Sequence, residues 1–472
     1  MAVQSIRNEI PSARWLDAES FASDDFTWKP GRILLGKAGK DRRLIGFDDN
    51  RHVVTIAGSR AGKSSTSLIP NLLTWPGSTL VIDPKGELAT HTAMIRAHHH
   101  KQDVCILDPF GEVKGDAAAL RVGFNPLDEL AVLHEDDHID DAALLAEALV
   151  VANSDKGHDH WTLSAQILIQ GLILWQLAQR SGRTMIDLRN DLSRKQRPDI
   201  GDDEADTLLG LFTAMGKSDA YDGVLANVGL SFEAKPEDEL GSIISTALSQ
   251  IAFLSSTRLR DTLNQSQVSL RALKERRTTI YLVLPASRMA TQYKFLRMVI
   301  ILAMAAMERT QNQTDLPVLF MLEEFPTLGY MRPLEAAAGL MAGYDVKLWT
   351  VMQDLSQIKA LYPNSWETFM GNAGVIEAFG NADLTTSEYL SKRIGNTLAI
   401  RVERNDRSLQ GVAAGEKATR EQQQMVPLLA PFEVTQGFSR DSNRKLVLIP
   451  EKPPFPVERL HWKELMRNAD SG

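Results

Sequence analysis

The stretch Ala57-Gly58-Ser59-Arg60-Ala61-Gly62-Lys63-Ser64-Ser65 combines the residue types that hold a phosphate. Two glycines let the backbone turn its N–H groups toward an anion, and a helix opening directly after the loop adds the positive end of its dipole. In such a loop the lysine, Lys63, reaches the β- and γ-phosphates of a nucleotide. The Ser64 hydroxyl is one of the few protein oxygens that an octahedral Mg2+ takes. ATP and Mg2+ are the expected ligands. Ala57 stands where the pattern places its first glycine, a position that mainly shapes the turn. The competing reading is an ordinary strand-to-helix turn carrying Gly-Lys-Ser by chance.

A second set of chemical groups lies far along the chain. Pro317-Val318-Leu319-Phe320-Met321-Leu322 is an apolar run ending in Glu323-Glu324. Paired acids at a strand end suit a P-loop ATPase, in which one carboxylate (here Glu323) holds the magnesium shell and the next (Glu324) polarises the attacking water. Aspartate is usual at the first of the two positions. Asp345 to Gln353 is another apolar run, and its terminal amide, Gln353, suits a γ-phosphate sensor. The alternative for Gln353 is a strand-end amide capping the next helix.

The elements that must position these groups read as strands and helices in alternation. His52 to Ile56 precedes the phosphate loop as a buried β-branched strand, and Thr66 to Leu73 follows it as a helix. Ser78 to Ile82 and Val104 to Leu107 are further strands, each ending in Asp-Pro (Asp83-Pro84 and Asp108-Pro109). Turn chemistry competes with nucleotide contact at both pairs. From Phe124 the texture turns helical and stays so to about Ser255. Strands resume at Thr278 to Leu284, and Val375 to Phe379 is a later one. Leu398 to Val402 and Lys445 to Ile449 read as edge strands, with a mobile loop from Ser408 to Gln424. The fold class is therefore α/β, a mostly parallel sheet with an all-helical insertion. The expected organisation is an arm or linker over 1–29, the nucleotide-binding domain in two parts over 30–123 and 257–455, the helical insertion over 124–256, and a tail over 456–472.

Composition limits the function classes. A net charge of -8 argues against a surface coated for nucleic acid, though not against a locally basic groove. The basic stretches available are Arg194-Lys195-Gln196-Arg197 and Arg271 to Arg277, either of which also reads as a solvated run. One cysteine, Cys105, excludes an internal disulfide and fits a reducing compartment. His98-His99-His100 cannot share one helix face, and His158 with His160 lacks a third ligand at metal-site spacing, so solvated histidines are expected. The most apolar window, Met298 to Met307, falls short of the ~20 residues that span a bilayer.

Taken together and in order, these segments resemble the type IV secretion coupling proteins, the ATPases of conjugative DNA transfer. The likeness runs from about residue 30 to 455. It rests on the phosphate loop with Ile69-Pro70-Asn71-Leu72-Leu73, then Asp83-Pro84-Lys85-Gly86-Glu87 and Phe124-Asn125-Pro126. It continues through Tyr281-Leu282-Val283-Leu284-Pro285, Glu323-Glu324-Phe325, Gln353-Asp354-Leu355-Ser356-Gln357, Gly371-Asn372-Ala373 and Val426-Pro427-Leu428-Leu429. The resemblance implies a RecA-like P-loop NTPase domain working as a homo-hexamer around a channel. The implied partners are single-stranded DNA or a relaxase–DNA complex, components of the secretion channel, and protein effectors. It assigns Lys63 and Ser64 to phosphate and magnesium, Glu324 to catalysis and Gln353 to sensing. Arg332, just after the acidic strand end, is the candidate trans-acting arginine; the alternative is an exposed arginine at a helix start. The typical member begins with a transmembrane hairpin and none is read here, so the expected location is cytoplasmic, reaching the inner membrane only through partners. Glu323 in place of aspartate leaves a rival reading, a nucleotide-regulated recruitment platform with little hydrolysis.

Overall fold

The structure is a computed structural model and describes residues 12–17, 20, 21, 23, 25–151, 160–179, 182–198, 203–404 and 419–470. In chain order the strands are β1 (Ile33–Ala38), β2 (Arg43–Phe47), β3 (His52–Ala57), β4 (Thr79–Asp83) and β5 (Asp103–Leu107). They continue as β6 (Thr278–Val283), β7 (Val318–Leu322), β8 (Val346–Met352) and β9 (Ala373–Phe379). The last four are β10 (Asn396–Arg404), β11 (Thr419–Pro427), β12 (Arg444–Leu448) and β13 (Phe455–Glu458). The described residues form two compact units, one drawn from Met1–Trp75 and Val351–Gly472, the other from Pro76–Thr350.

In the first unit the strand order is β2-β1-β13-β12-β9-β3. Only β3 and β9 run parallel, with Ile56 opposite Ala378 and Ala57 opposite Phe379. The other neighbours are antiparallel, and short turns join two of these pairs, β1 to β2 and β12 to β13. Three expectations change here. Lys445 to Ile449 is no edge: β12 is flanked by β9 and β13, which accounts for its buried Leu446 and Val447. Leu398 to Val402 does lie in an edge strand, β10, but of a separate two-stranded sheet, whose other strand, β11, takes in Thr419 to Gln424 of the expected loop. Residues 408–418 of that loop lie outside the described residues. Part of the expected N-terminal arm is packed: Phe21 and Phe26 are buried edge-on against Phe455, with ring centroids 5.3 and 5.4 Å apart.

In the second unit the order is β8-β7-β4-β6-β5, and every pair is parallel. Strands buried on both faces explain the unbroken apolar runs of β4, β6 and β7. Between β5 and β6 the described residues contain no strand and several helices, among them Glu135–Leu149, His160–Ala178 and Glu237–Gln250. The helix Ala286–Arg309 extends well beyond the expected ten-residue apolar window and has the length and composition of a membrane span. Some 78% of its most apolar 18-residue window is buried inside the protein, the position of a core helix. His158 lies outside the described residues, and His160 faces Glu239 at 3.4 Å.

Candidate functional site

The candidate phosphate loop, residues 57–65, begins where β3 ends. Ala57 is the last residue of the strand, extended and opposite Phe379, so this backbone has no need of a glycine there. Gly58 is different: a Cβ would stand 2.0 Å from the Gly380 carbonyl oxygen, which no side chain survives. Arg60 (φ +59°) and Gly62 (φ +88°) are left-handed, and this alternation of hand is how a loop makes a concave nest of N–H groups.

The loop's carbonyls are held by partners. Gly58 C=O accepts from Ala61 N–H at 3.1 Å. Ala61 C=O accepts from the Arg459 guanidinium. Gly62 C=O accepts from Thr66 N–H at 2.9 Å and the Thr66 hydroxyl at 2.8 Å. Because a trans peptide is planar, each held carbonyl aims the following N–H the other way. Lys63, Gly62 and Ser65 are half-buried, Ser64 is buried, and Ser59 and Arg60 are exposed. The helix opens with a π-wound turn, Ser64–Leu68, before its α-helical part Ile69–Thr74, a distortion often found at functional sites. Asn71 anchors it: its buried amide donates to Leu34 C=O (2.9 Å) and Ser67 C=O (2.9 Å) and accepts from Leu34 N–H (2.8 Å).

Gln353 follows β8 in the same unit as the loop. Capping of the next helix, Leu355–Leu361, falls to Asp354, whose carboxylate accepts from Gln357 N–H at 3.2 Å. Gln353 C=O accepts from the Asn381 amide at 3.0 Å. Asn381 is buried, and its Oδ1 lacks a hydrogen-bond partner among the described residues. Sequence reading passed over Asn381; its one signal is a polar residue just past the apolar strand β9.

In the second unit, β7 delivers Glu323 and Glu324 just beyond its end. Glu323 is buried. Glu324 sits in the left-handed region (φ +56°, ψ +40°), a conformation of order 1–2 kcal/mol uphill for a residue with a Cβ. Such outliers cluster at active sites. Its carbonyl takes Thr327 N–H (2.9 Å) and the Thr327 hydroxyl (2.8 Å), which fix the bend. Asp83 ends the neighbouring β4, one residue beyond the Ile82–Leu322 pair. Its carboxylate accepts from the N–H groups of Lys85, Glu87 and Ala89 at 3.3, 3.1 and 2.8 Å. Asp108 does the same for Gly111, Glu112 and Val113 and also takes Arg121. Both aspartates therefore do turn chemistry.

Burial pushes the Asp83 carboxyl up to about 6, against backbone N–H groups that pull it down. A carboxyl raised in the fold contributes stability that is present below about pH 4 and lost as pH climbs through about 6. The shift amounts to roughly 3 kcal/mol. Asp83→Asn keeps one acceptor oxygen and cannot ionise. Its stability deficit relative to the parent should therefore shrink across that window in urea melts. A constant deficit would show that Asp83 does not titrate there.

Arg332 opens the helix Arg332–Leu340, and its side chain is 73% exposed beside Glu147 at 3.2 Å. A buried arginine missed in the sequence, Arg297, lies in the same unit. It donates to Ala148 C=O (2.9 Å) at the end of the helix Glu135–Leu149, and to Leu328 and Tyr330 C=O (2.7 and 2.8 Å) after Glu324. Most cations of the basic stretches have an acidic partner within the chain, and several of them stay exposed. Arg194 pairs with Asp191, Arg197 with Glu237, Arg276 with Asp103 and Arg277 with Asp315. Lys274 is buried and caps the helix Ala286–Arg309 through Met307 and Thr310 C=O.

A nested phosphate loop after a buried strand, with parallel strands ending in acids, is the RecA-like P-loop NTPase fold. The unbound bacterial conjugative coupling protein TrwBdeltaN70 shares it, with a TM-score of 0.66 over 96% of this chain and 95% of that one, at 13% identity. The chain belongs to the type IV secretory system conjugative DNA transfer family, whose model matches residues 4–467. Conjugal transfer protein TraG of Escherichia coli is 28% identical over 404 residues, 81% of this chain and 61% of that protein. Protein VirD4 of Agrobacterium fabrum is 24% identical over 480 residues, 96% of this chain and 65% of that protein. The chain thus spans less than two thirds of the length of these relatives.

Proposed function

We propose that this chain is an ATPase coupling protein of a type IV secretion or conjugation system, one that recruits a DNA or nucleoprotein substrate and drives it toward the secretion channel. The observation that carries the reading is the glycine-bearing loop, where the carbonyls of Gly58, Ala61 and Gly62 are tied back and leave a nest suited to an anion. Solved structures of plasmid coupling protein TrwB include complexes with ADPNP and with ADP and Mg2+. Here ATP would take Lys63 at its β- and γ-phosphates. The Ser64 hydroxyl and Glu323 carboxylate are hard oxygen donors that suit Mg2+, which when bound neutralises the phosphate charge that develops in transfer. Glu324 would accept a proton from the attacking water, and Gln353 would hydrogen-bond the γ-phosphate. In a homo-hexamer Arg332 would serve the neighbouring copy's nucleotide, which requires its pair with Glu147 to open. Reaching the inner membrane through partners, from the cytoplasm, is part of the same proposal.

The test is ATP turnover by the purified chain with and without single-stranded DNA. Turnover should rise several-fold with DNA at low salt, and the effect should fade steeply from ~50 to ~200 mM as counterion release is lost. The half-exposed guanidiniums of Arg197, Arg276 and Arg277 are the groups proposed to meet phosphate. Turnover indifferent to DNA at every salt concentration in assembled hexamers would overturn the DNA reading and leave a platform for protein effectors.

A further inference from the structure

We propose that Arg459, just past β13, is a positioning residue that holds the Ala61–Gly62 peptide in its phosphate-accepting orientation. The proposal rests on the reading of residues 57–65 as the nucleotide site. It starts from the need of every buried peptide carbonyl for a donor. Ala61 is buried, and a guanidinium nitrogen of Arg459, Nη1, is the donor at its carbonyl. Planarity then directs the Gly62 N–H away from Arg459, into the nest. Without that donor, the peptide could flip to find another partner for its carbonyl, and the Gly62 N–H would turn out of the nest with it. Glycine at 62 makes such a flip easy, because its backbone accepts both hands.

Arg459 is itself fixed at several points. Its other terminal nitrogen donates to Arg440 C=O, and its backbone N–H donates to Asn443 C=O at 2.9 Å. The guanidinium lies over the Phe379 ring, 5.2 Å from the centroid, at the end of the strand that flanks the loop. A cation on the outer face of a peptide also polarises it, which sharpens the N–H on the inner face as an anion donor. The phosphate loop's helix is held separately. Lys445 on β12 is fully buried, paired with Glu377 of β9, and donates to the Ser67 hydroxyl at 3.1 Å. Loss of Arg459 should therefore disturb the peptide rather than dislodge the helix.

The test is titration of the purified chain with a fluorescent ADP analogue plus Mg2+, paired with steady-state ATP turnover. Arg459→Met keeps the side-chain length without a donor, and it should weaken nucleotide binding about ten-fold and raise KM to match. Turnover at saturating ATP should fall by no more than about three-fold, since bound nucleotide holds the peptide in place. Arg459→Lys offers one donor to Ala61 and should bind two- to five-fold more weakly than the parent, part of the way back from Arg459→Met. Affinity within two-fold of the parent in folded Arg459→Met would overturn the proposal. So would affinity and saturated turnover falling together with the folded fraction, the pattern of a residue that only stabilises. If Arg459→Met does not fold, Arg459→Gln and Arg459→Lys decide: with one donor each they should bind two- to five-fold more weakly, and parental affinity in both overturns the role. A parent chain that binds no nucleotide would instead remove the phosphate-loop reading itself.

Discussion

Lys63→Ala should remove most ATP binding and nearly all turnover while leaving the fold intact. Lys63 is half-buried at the start of the π-wound turn and lies outside the packed apolar core, so its truncation opens no core cavity. The loop's backbone keeps its carbonyl ties at Gly58, Ala61 and Gly62, none of which uses the lysine side chain. What disappears is the cation proposed to meet two phosphates. Charge-assisted hydrogen bonds contribute about 1.5–3 kcal/mol each, so two of them correspond to an affinity loss of ~100-fold or more. Calorimetric titration with ATP and Mg2+ should show no saturable binding, with a melting temperature within a few degrees of the parent. Unchanged turnover would mean that nucleotide is handled elsewhere in the chain.

The core of the fold was legible because burial writes itself into composition. β4, β6 and β7 are flanked by parallel neighbours, so both faces are apolar and the runs stand out. The glycine-bearing loop was legible for a similar reason: a nest needs particular backbone hands, and few residues supply them. The first unit was harder to read. β13 contains Pro456, and a proline inside a run argues against a strand. It is nevertheless a strand, with Pro456 facing Leu446 of β12 and its one Cα pairing to β1, Lys37 with Glu458, lying past the proline. With β13 unseen, β12 reads as an edge.

The groups that sequence reading missed depend on pairings remote in the chain. Arg459 meets Ala61 across 398 residues, and Asn381 meets Gln353 across 28. No local periodicity encodes such contacts. Asp83 and Asp108 were legible only as residue types. Whether a strand-end aspartate faces a nucleotide or caps its own turn is decided by N–H groups two to six residues on, and here the turn takes both. Charge runs mislead for the opposite reason. Arg271 to Arg277 looks like one basic face, yet Lys274 is buried among carbonyls while Arg276 and Arg277 pair with separate aspartates.

Glu324→Gln should preserve ATP binding and slow hydrolysis by ~100-fold or more. The substitution is nearly isosteric, so the left-handed backbone at 324 and the two bonds from Thr327 to its carbonyl should persist. The change is then confined to the proton-accepting power of one side chain, and loss of a general base is worth 10²–10⁴ in rate. At the low end that is about 2.7 kcal/mol on the barrier. Glu323 is buried where Glu324 is half-buried, a difference that fits a metal-side carboxylate beside one that meets water. Glu323→Asp shortens the metal-side group to the usual length and should keep turnover at or above the parental rate. Single-turnover assays under saturating ATP separate these roles from binding. If Glu323→Gln stops the chemistry while Glu324→Gln does not, the two carboxylates have exchanged roles. The strained backbone at Glu324 would then serve only to turn the chain into Phe325–Leu328.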